Sequence, residues 1–372
     1  MGVLAVNGMG VAYVASQPDD GSPQSSAPVT EDTTPKAAKP GPSEPEATEP
    51  QVIATPVPGE ALGSGQPITI AFAGDTYFEG ELRPRLDGDP STAVGPFGDV
   101  LRGADLTVGN FETAIAEGGT RDDKAFTFRS PPRAVDALRA AGFDTVSMAN
   151  NHGLDFGATG LVESLAVKRA QPDNFIIGIG SEEDEAYKPF TAEVKGQKVA
   201  VIAATQVLDS SNIESWTATP NQAGLASAKR VDRLVEEVQA ARLENDTVVV
   251  FLHWGIEKDT CPTGDQQSLA TTLVDAGADV VVGGHAHRVQ GGGRLGDAVV
   301  HYGLGNFLFK AKSPESEQTG VFEVTVTGRR VDSYRWIPGR ISGSVPQPLS
   351  GAEADVAQEY WQSLRGCTGL TP

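Results

Sequence analysis

The sequence predicts an α/β protein in which a second, more antiparallel sheet packs against a first. Three observations lead there. From Pro67 onward, short apolar runs alternate with segments of helical period. Late in the chain the apolar runs follow one another with few helices between them. Polar residues suited to ligand chemistry stand at the ends of the predicted strands, where α/β sheets gather their sites.

The elements follow in order. ITIAFAG (68–74) is a β-branched strand ending in Gly-Asp, and DLTVGN (105–110) is the next. PRAVDALRAAG (132–142) places Val135, Leu138 and Ala141 at helical spacing, and Gly142 stops it. FDTVSMAN (143–150) reads as a buried strand, ATGLVESLAVKRA (158–170) as a helix and FIIGIG (175–180) as a strand. KVAVIAATQ (198–206) is a strand. SAKRVDRLVEEVQAARL (227–243) is a long helix with Val231, Leu234, Val235 and Val238 on one face. DTVVVFLHWG (246–255), the helix DQQSLATTLVDAG (265–277) and the strand ADVVVGGHAH (278–287) come next. AVVHYGLGNFLF (298–309) and GVFEVTVTGRRV (320–331) finish the sheet system, and the tail 346–372 carries one short helix.

The segments before Pro67 are of a different kind. MGVLAVNGMGVAYVAS (1–16) is mildly apolar, too short for a membrane span and without a basic start. It reads either as the remnant of a signal or anchor, or as a disordered leader. Residues 17–66 hold ten of the 25 prolines, eight acids, two lysines and no aromatic residue. Such a stretch has too little apolar surface to offset chain entropy, so a disordered Pro/Ser/Thr-rich stalk precedes a folded domain at 67–345. A formal charge of −20 argues against a nucleic-acid partner, because phosphate backbones need a basic surface. Cys261 and Cys367 have no CxxC spacing, and on an exported chain they pair into a disulfide pinning the tail.

The strand ends read GDTYF, GNFET, MANNHGLD, LHWG, GGHAH and HYGLGN, and they contain all five histidines of the chain. A single Asp or His after a strand is ordinarily a turn residue or a satisfied core group. Five histidines placed so together point to a metal site. Imidazole and carboxylate suit first-row dications such as Mn, Zn or Fe, and an Asn carbonyl adds a neutral oxygen. A cation held there makes water a nucleophile near neutral pH and polarises a phosphoryl or acyl oxygen.

In this order the residues resemble the calcineurin-like metallophosphoesterase pattern. More closely, they resemble the CapA capsule-synthesis (poly-γ-glutamate biosynthesis, PGA_cap) family, from about Ile68 to Phe309. The phrases carrying the resemblance are FAGDTYF, GNFETAI, FRSPP, AAGFDTVSMANNHGLDFG, VVVFLHWGIE, GADVVVGGHAHRVQG and YGLGNFLF. It implies a four-layer αββα sandwich of two mixed sheets flanked by helices. It also implies that Asp75, Asn151, His253, His285 and His287 are metal ligands and that His152 protonates a leaving group. Two departures stand out. Asp75-Thr76-Tyr77 replaces Asp-x-His, and Gly109-Asn110 replaces Gly-Asp, with Glu112 two residues on. The expectation is therefore one well-held ion at Asn151, His253 and His285, with a weaker or absent second near Asp75, Glu112 and His287. Arg129, Asn110 and Asn306 are candidate substrate contacts.

The resemblance further implies an extracytoplasmic, surface-tethered protein of capsule or poly-γ-glutamate metabolism. Its partners would be an anionic envelope polymer or precursor and capsule-synthesis membrane proteins. A metal-dependent hydrolase with a metal-activated water competes with a non-catalytic, metal-containing scaffold of the same machinery.

Overall fold

A computed structural model describes residues 63–372. The expectations for residues 1–16 and for the stalk up to residue 62 lie outside the described residues. The stalk's last positions are already tied to the domain, since the Ser64 N–H donates to the Gly196 carbonyl at 3.0 Å.

The chain forms strand β1 (Ile68–Thr76) and β2 (Leu106–Phe111), helix α1 (Arg133–Ala141), β3 (Thr145–Ser147), α2 (Gly157–Ala170) and β4 (Ile176–Ile177). Next come β5 (Phe190–Val194), β6 (Gln197–Thr205), α3 (Val231–Glu244), β7 (Thr247–His253), α4 (Gly264–Ala276) and β8 (Val280–Gly284). The last third holds β9 (Gly292–Leu295), β10 (Ala298–His301), β11 (Asn306–Leu308), β12 (Gln318–Thr327), β13 (Arg330–Ser342), β14 (Val345–Pro348) and α5 (Gly351–Ser363).

These strands build two mixed sheets. The eight-stranded sheet has the order β14-β13-β12-β1-β2-β3-β4, with β11 also pairing β1. Its strands β1 to β4 run parallel, and β12 to β14 form an antiparallel meander. The six-stranded sheet has the order β9-β10-β8-β7-β6-β5, parallel at its centre and antiparallel at both edges.

Strand periodicity explains the layering. Ile68, Ile70 and Phe72 of β1 face Val199, Val201, Val249, Phe251, Val280 and Val282 in a core between the sheets. The alternate residues Ala71 and Ala73 face α1 and α2 on the other side. Val248, Val250 and Leu252 of β7 face α3 and α4. Both faces of both sheets are thus apolar, as central parallel strands require. The product is a four-layer αββα sandwich.

Helix ends follow local chemistry. Gly142 and Gly277 close α1 and α4 in the left-handed conformation, and Thr263 with Gln266 forms a capping box at the start of α4. In α3 the expected buried face is only partly right: Leu234 and Val238 are buried, but Val231 opens the helix exposed.

Three departures from the sequence reading concern the late strands. AVVHYGLGNFLF is not one strand. Its first half is β10 in the six-stranded sheet and its second half is β11 in the other. The crossing at Gly305 is tight, since a Cβ on Gly74 would lie 2.0 Å from the Gly305 carbonyl oxygen. The segment after residue 320 is a hairpin continuing into β14, and the tail helix α5 spans 13 residues and buries Trp361. The expected boundary at residue 345 therefore falls within continuous packing. Cys261 and Cys367 form a disulfide across 106 residues.

Candidate metal centre

The carboxyl ends of β1, β2 and β3 lie side by side in register, Asp75 opposite Asn110 and Asn110 opposite Ser147. In the facing sheet His253 at the end of β7 lies opposite Gly284 at the end of β8. The two edges meet because Gly284 lacks a Cβ, which would lie 2.5 Å from Asp75 Oδ1. The His285 N–H, next along the chain, donates to Asp75 Oδ2 at 3.3 Å.

The GGHAH turn is strained. His285 and His287 have φ of 88° and 51°, the left-handed region that disfavours residues with a Cβ. Each such residue costs on the order of 1–3 kcal/mol, a cost that persists where packing fixes it and function uses it. Here it turns both imidazoles into one cleft, with ring centroids 6.0 Å apart and His285 4.8 Å from the His253 ring.

Glu112 stands at the centre. It is fully buried, yet neither carboxylate oxygen has a hydrogen-bond partner. Three imidazole nitrogens lie within ion-pair distance of Oε1: His253 Nε2 at 3.4 Å, His152 Nε2 at 3.8 Å and His287 Nε2 at 3.9 Å. A buried carboxylate costs several kcal/mol unless a positive charge offsets it; the His287 ring 3.9 Å away is one such charge, and a bound dication would be a stronger one. Potential ligand atoms of Glu112, His253 and His285 lie within 4.8 Å of one another, and so do those of Asp75, Glu112 and His287. Asn151 Oδ1 joins the first group, 2.7 Å from His253 Nε2. The donor set fits a first-row dication. The structure thus brings together Asp75, Glu112, Asn151, His253, His285 and His287, and it shares Glu112 between both groups. The expectation is one well-held ion at Asn151, His253 and His285, with a weaker or absent second near Asp75, Glu112 and His287.

Electrostatics follow the geometry. Burial pushes Asp75 up, but the hydrogen bond and charge of His287, with His253 and Asn110, hold it below the ordinary carboxylate value. Burial opposes the charge on His287, yet Glu112 and the bond to Asp75 raise it to about 9. His285 is held well below its usual value by burial and by the neighbouring His253 and His287. His152 is lowered to about 3, mainly by burial.

His152 joins from the turn after β3. Its Nδ1 lies 2.6 Å from Asp155 Oδ2, Nε2 faces Glu112, and the Phe128 ring covers it at 4.1 Å. Tyr77, where an Asp-x-His pattern would place an imidazole, contributes no ligand. It packs on Phe128 and Phe309 at 4.8 and 4.3 Å, and Phe309 packs on His287. An aromatic wall replaces the missing imidazole.

The three expected substrate contacts are engaged within the protein. The Asn110 amide nitrogen lies 2.8 Å from Asp75 Oδ1 and 3.1 Å from His253 Nδ1, while its oxygen accepts from Asn150. Asn306 Oδ1 lies 2.9 Å from His287 Nδ1, and its amide nitrogen donates to the Ser316 carbonyl. Both asparagines brace ligands, as outer-shell groups do. Arg129 donates from Nη1 to the Glu117 and Gly118 carbonyls, and its guanidinium lies over the Phe156 ring. His301 also leaves the group. It lies among Phe322, Trp336 and Trp361, and its Nε2 accepts from Trp361 Nε1 at 3.0 Å.

The family model for the bacterial capsule synthesis protein PGA_cap matches residues 69–311, which holds every residue of this cluster. The chain belongs to the PGA_cap family. It is similar to the capsule biosynthesis protein CapA of Bacillus anthracis, 29% identical over 268 residues, 70% of this chain and 63% of that protein. It is also similar to the PGA biosynthesis protein CapA of Bacillus subtilis (strain 168), 27% identical over 253 residues, 67% of this chain and 65% of that protein. The match thus spans less than two thirds of either relative. A hypothetical protein from Thermus thermophilus matches in structure with a TM-score of 0.48 and 20% identity, over 74% of this chain and 100% of that one. That score carries no weight for the chemistry.

Within this PGA_cap protein, sequence reasoning missed Asp155 and Lys124, which pair at 2.5 Å. Asp155 had a signal, since it closes the ANNHGLD phrase three residues after His152. Lys124 had none.

Proposed function

We propose that this protein is an extracytoplasmic, metal-dependent hydrolase of capsule or poly-γ-glutamate metabolism, cleaving a phosphoester or amide bond in an anionic envelope polymer or its precursor. The observation that carries the reading is Glu112, a buried carboxylate without a hydrogen bond, ringed by imidazoles from three other segments. Asn151, His253 and His285 would hold one ion and Asp75 with His287 a second, Glu112 serving both. A dication bound there supplies Lewis acidity and lowers the pKa of a coordinated water.

The protein groups do the rest. The His152 ring is neutral at neutral pH; Asp155, 2.6 Å from its Nδ1, orients it, and its Nε2, facing the cleft, would take up a proton there and return it to the leaving atom. Phe128, Tyr77 and Phe309 exclude water from one side and lower the local dielectric. Placement outside the cytoplasm is supported by the Cys261–Cys367 disulfide, since such bridges persist in oxidising compartments. Among the described residues no helix is long and apolar enough to cross a membrane. Capsule-synthesis membrane proteins are the proposed partners.

Elemental analysis of the purified chain, followed by a screen of phosphodiesters, phosphomonoesters and γ-glutamyl polymers with Mn, Zn or Fe, tests the reading. Stoichiometric metal with turnover supports it. Metal without turnover on any of these makes the protein a scaffold, and absence of metal binding removes the basis of both.

A further inference from the structure

The left-handed turn that carries His285 and His287 is held by a neighbouring loop. A third left-handed residue, Lys258 with φ of 70°, donates its N–H to the Ala286 carbonyl, between the two histidines, at 2.8 Å. Lys258 belongs to loop 255–263, which leaves β7 just after His253. The loop starts on Gly255, also left-handed, where a Cβ would lie 2.7 Å from Gln266 Oε1. It carries Cys261, which is bonded to Cys367 of the tail.

Gln290, three residues beyond His287, ties the loop to the turn. It is fully buried. Its Nε2 donates to the carbonyls of Asp259 and Cys261 at 3.0 and 3.3 Å, and its Oε1 accepts from Gln266 Nε2 at 3.3 Å. Gln266 Oε1 in turn accepts from the Thr263 N–H at 2.9 Å. The buried amide of Gln290 is thus satisfied by this one loop and the start of α4. The tail holds the same segment. Arg365 Nε donates to the Gly292 carbonyl at 2.9 Å, and Arg294 and Thr371 exchange backbone bonds at 2.7 and 3.0 Å. The disulfide therefore joins two elements that both grip residues 290–294. Strained backbone persists only where its surroundings over-determine it, and here the loop and the tail are those surroundings.

We propose that Gln290 is a positioning residue for the metal centre: it couples the disulfide-bonded loop to the His285–His287 turn, so that the protein holds a dication more tightly with the Cys261–Cys367 bond closed than open. Opening the bond takes two electrons and two protons from a dithiol, which itself becomes a disulfide, and leaves two thiols. The inference rests on the reading of the cluster as a metal site, and its metal-free test is separable from that reading.

The full chain is studied as wild type, as Gln290→Met, and as Cys261→Ser with Cys367→Ser, which removes the bond without adding thiol ligands. Leu138→Ala in α1, which packs on the other sheet, is the control for lost stability alone. Competition with a chromophoric chelator reads zinc affinity. The serine pair and Gln290→Met weaken it about ten- to hundred-fold, the range for groups that orient ligands, with stoichiometry at saturation unchanged. Leu138→Ala keeps the wild-type affinity. Wild-type affinity in the serine pair or in Gln290→Met overturns the inference, and so does an equal loss in Leu138→Ala. In the metal-free proteins, hydrogen exchange reads the Lys258 amide. Its protection falls in the serine pair and in Gln290→Met and holds in Leu138→Ala. Unchanged protection in the first two also overturns the inference. If Gln290→Met does not fold, Gln290→Glu replaces it, keeping the acceptor for Gln266 without the amide donors. A wild type that binds no zinc removes the metal reading alone, since exchange at Lys258 still decides whether Gln290 and the disulfide hold the turn.

Discussion

Two buried groups of imidazoles in this protein start from the same sequence feature, a histidine at a strand end, and finish as opposites. Around Glu112, His152, His253 and His287 crowd a carboxylate that has no hydrogen bond. At the end of β10, His301 is enclosed by Phe322, Trp336 and Trp361 and accepts one hydrogen bond from an indole. Burial lowers both His152 and His301 to about 3. Desolvation alone therefore does not mark a functional histidine. What separates the two is the surrounding polar set: carboxylates and amide oxygens in one, aromatic faces in the other.

The sharpest break between the regions is catalytic. His152→Ala should lower hydrolysis by roughly two to four orders of magnitude while metal content stays at the wild-type value. Parallel rate and elemental measurements check both halves, and a loss of metal would make His152 a ligand instead. Next in size is the aromatic box. Trp361→Ala should cost about 3–5 kcal/mol of stability in denaturant unfolding, the range for truncating a large core aromatic, with metal stoichiometry unchanged. An accompanying loss of metal would mean that the two regions are coupled.

The disulfide ties the loop after β7 to the tail beyond α5. Reduction, or Cys261→Ser with Cys367→Ser, should destabilise by about 2–4 kcal/mol. Thiol titration of the unreduced protein should find no free cysteine.

The smallest effect is the most discriminating. In the metal-free protein His287 is raised to about 9, so the folded state binds the extra proton between the unfolded value near 6.5 and 9. Its contribution is complete below pH 6.5 and is lost as pH rises through 9. His301 is depressed to about 3, so the unfolded state binds the extra proton, and that contribution fades as pH falls below 6.5. His287→Gln should flatten the alkaline limb of a melting-temperature profile, and His301→Gln the acid limb. The same limb responding to both changes would contradict the assignment of opposite environments.

Much of this was legible in the chain. β1, β2, β6, β7 and β8 follow from short continuous apolar runs, and Gly142 and Gly277 mark helix ends by their freedom in the left-handed region. The ligand residues were legible because strand ends of parallel sheets share an edge. What stayed hidden has physical causes. YGLG gives no local hint that the backbone passes from one sheet to the other, because either half satisfies the same apolar pattern. Asn110 and Asn306 looked like substrate contacts because an amide's partners are set by what lies across the fold. Val231 sat on an apolar stripe that α3 does not bury along its full length.

The sequence by itself determined the alternation of elements, the acidic stalk composition and the residue types able to hold a cation, because these depend on local period and side-chain chemistry. Only the tertiary structure decided that Glu112 is common to both ligand groups, that Lys124 meets Asp155, and that His301 stands apart. Those outcomes depend on which segments far apart in the chain are brought within a few ångströms, and on how much water packing leaves beside each charge.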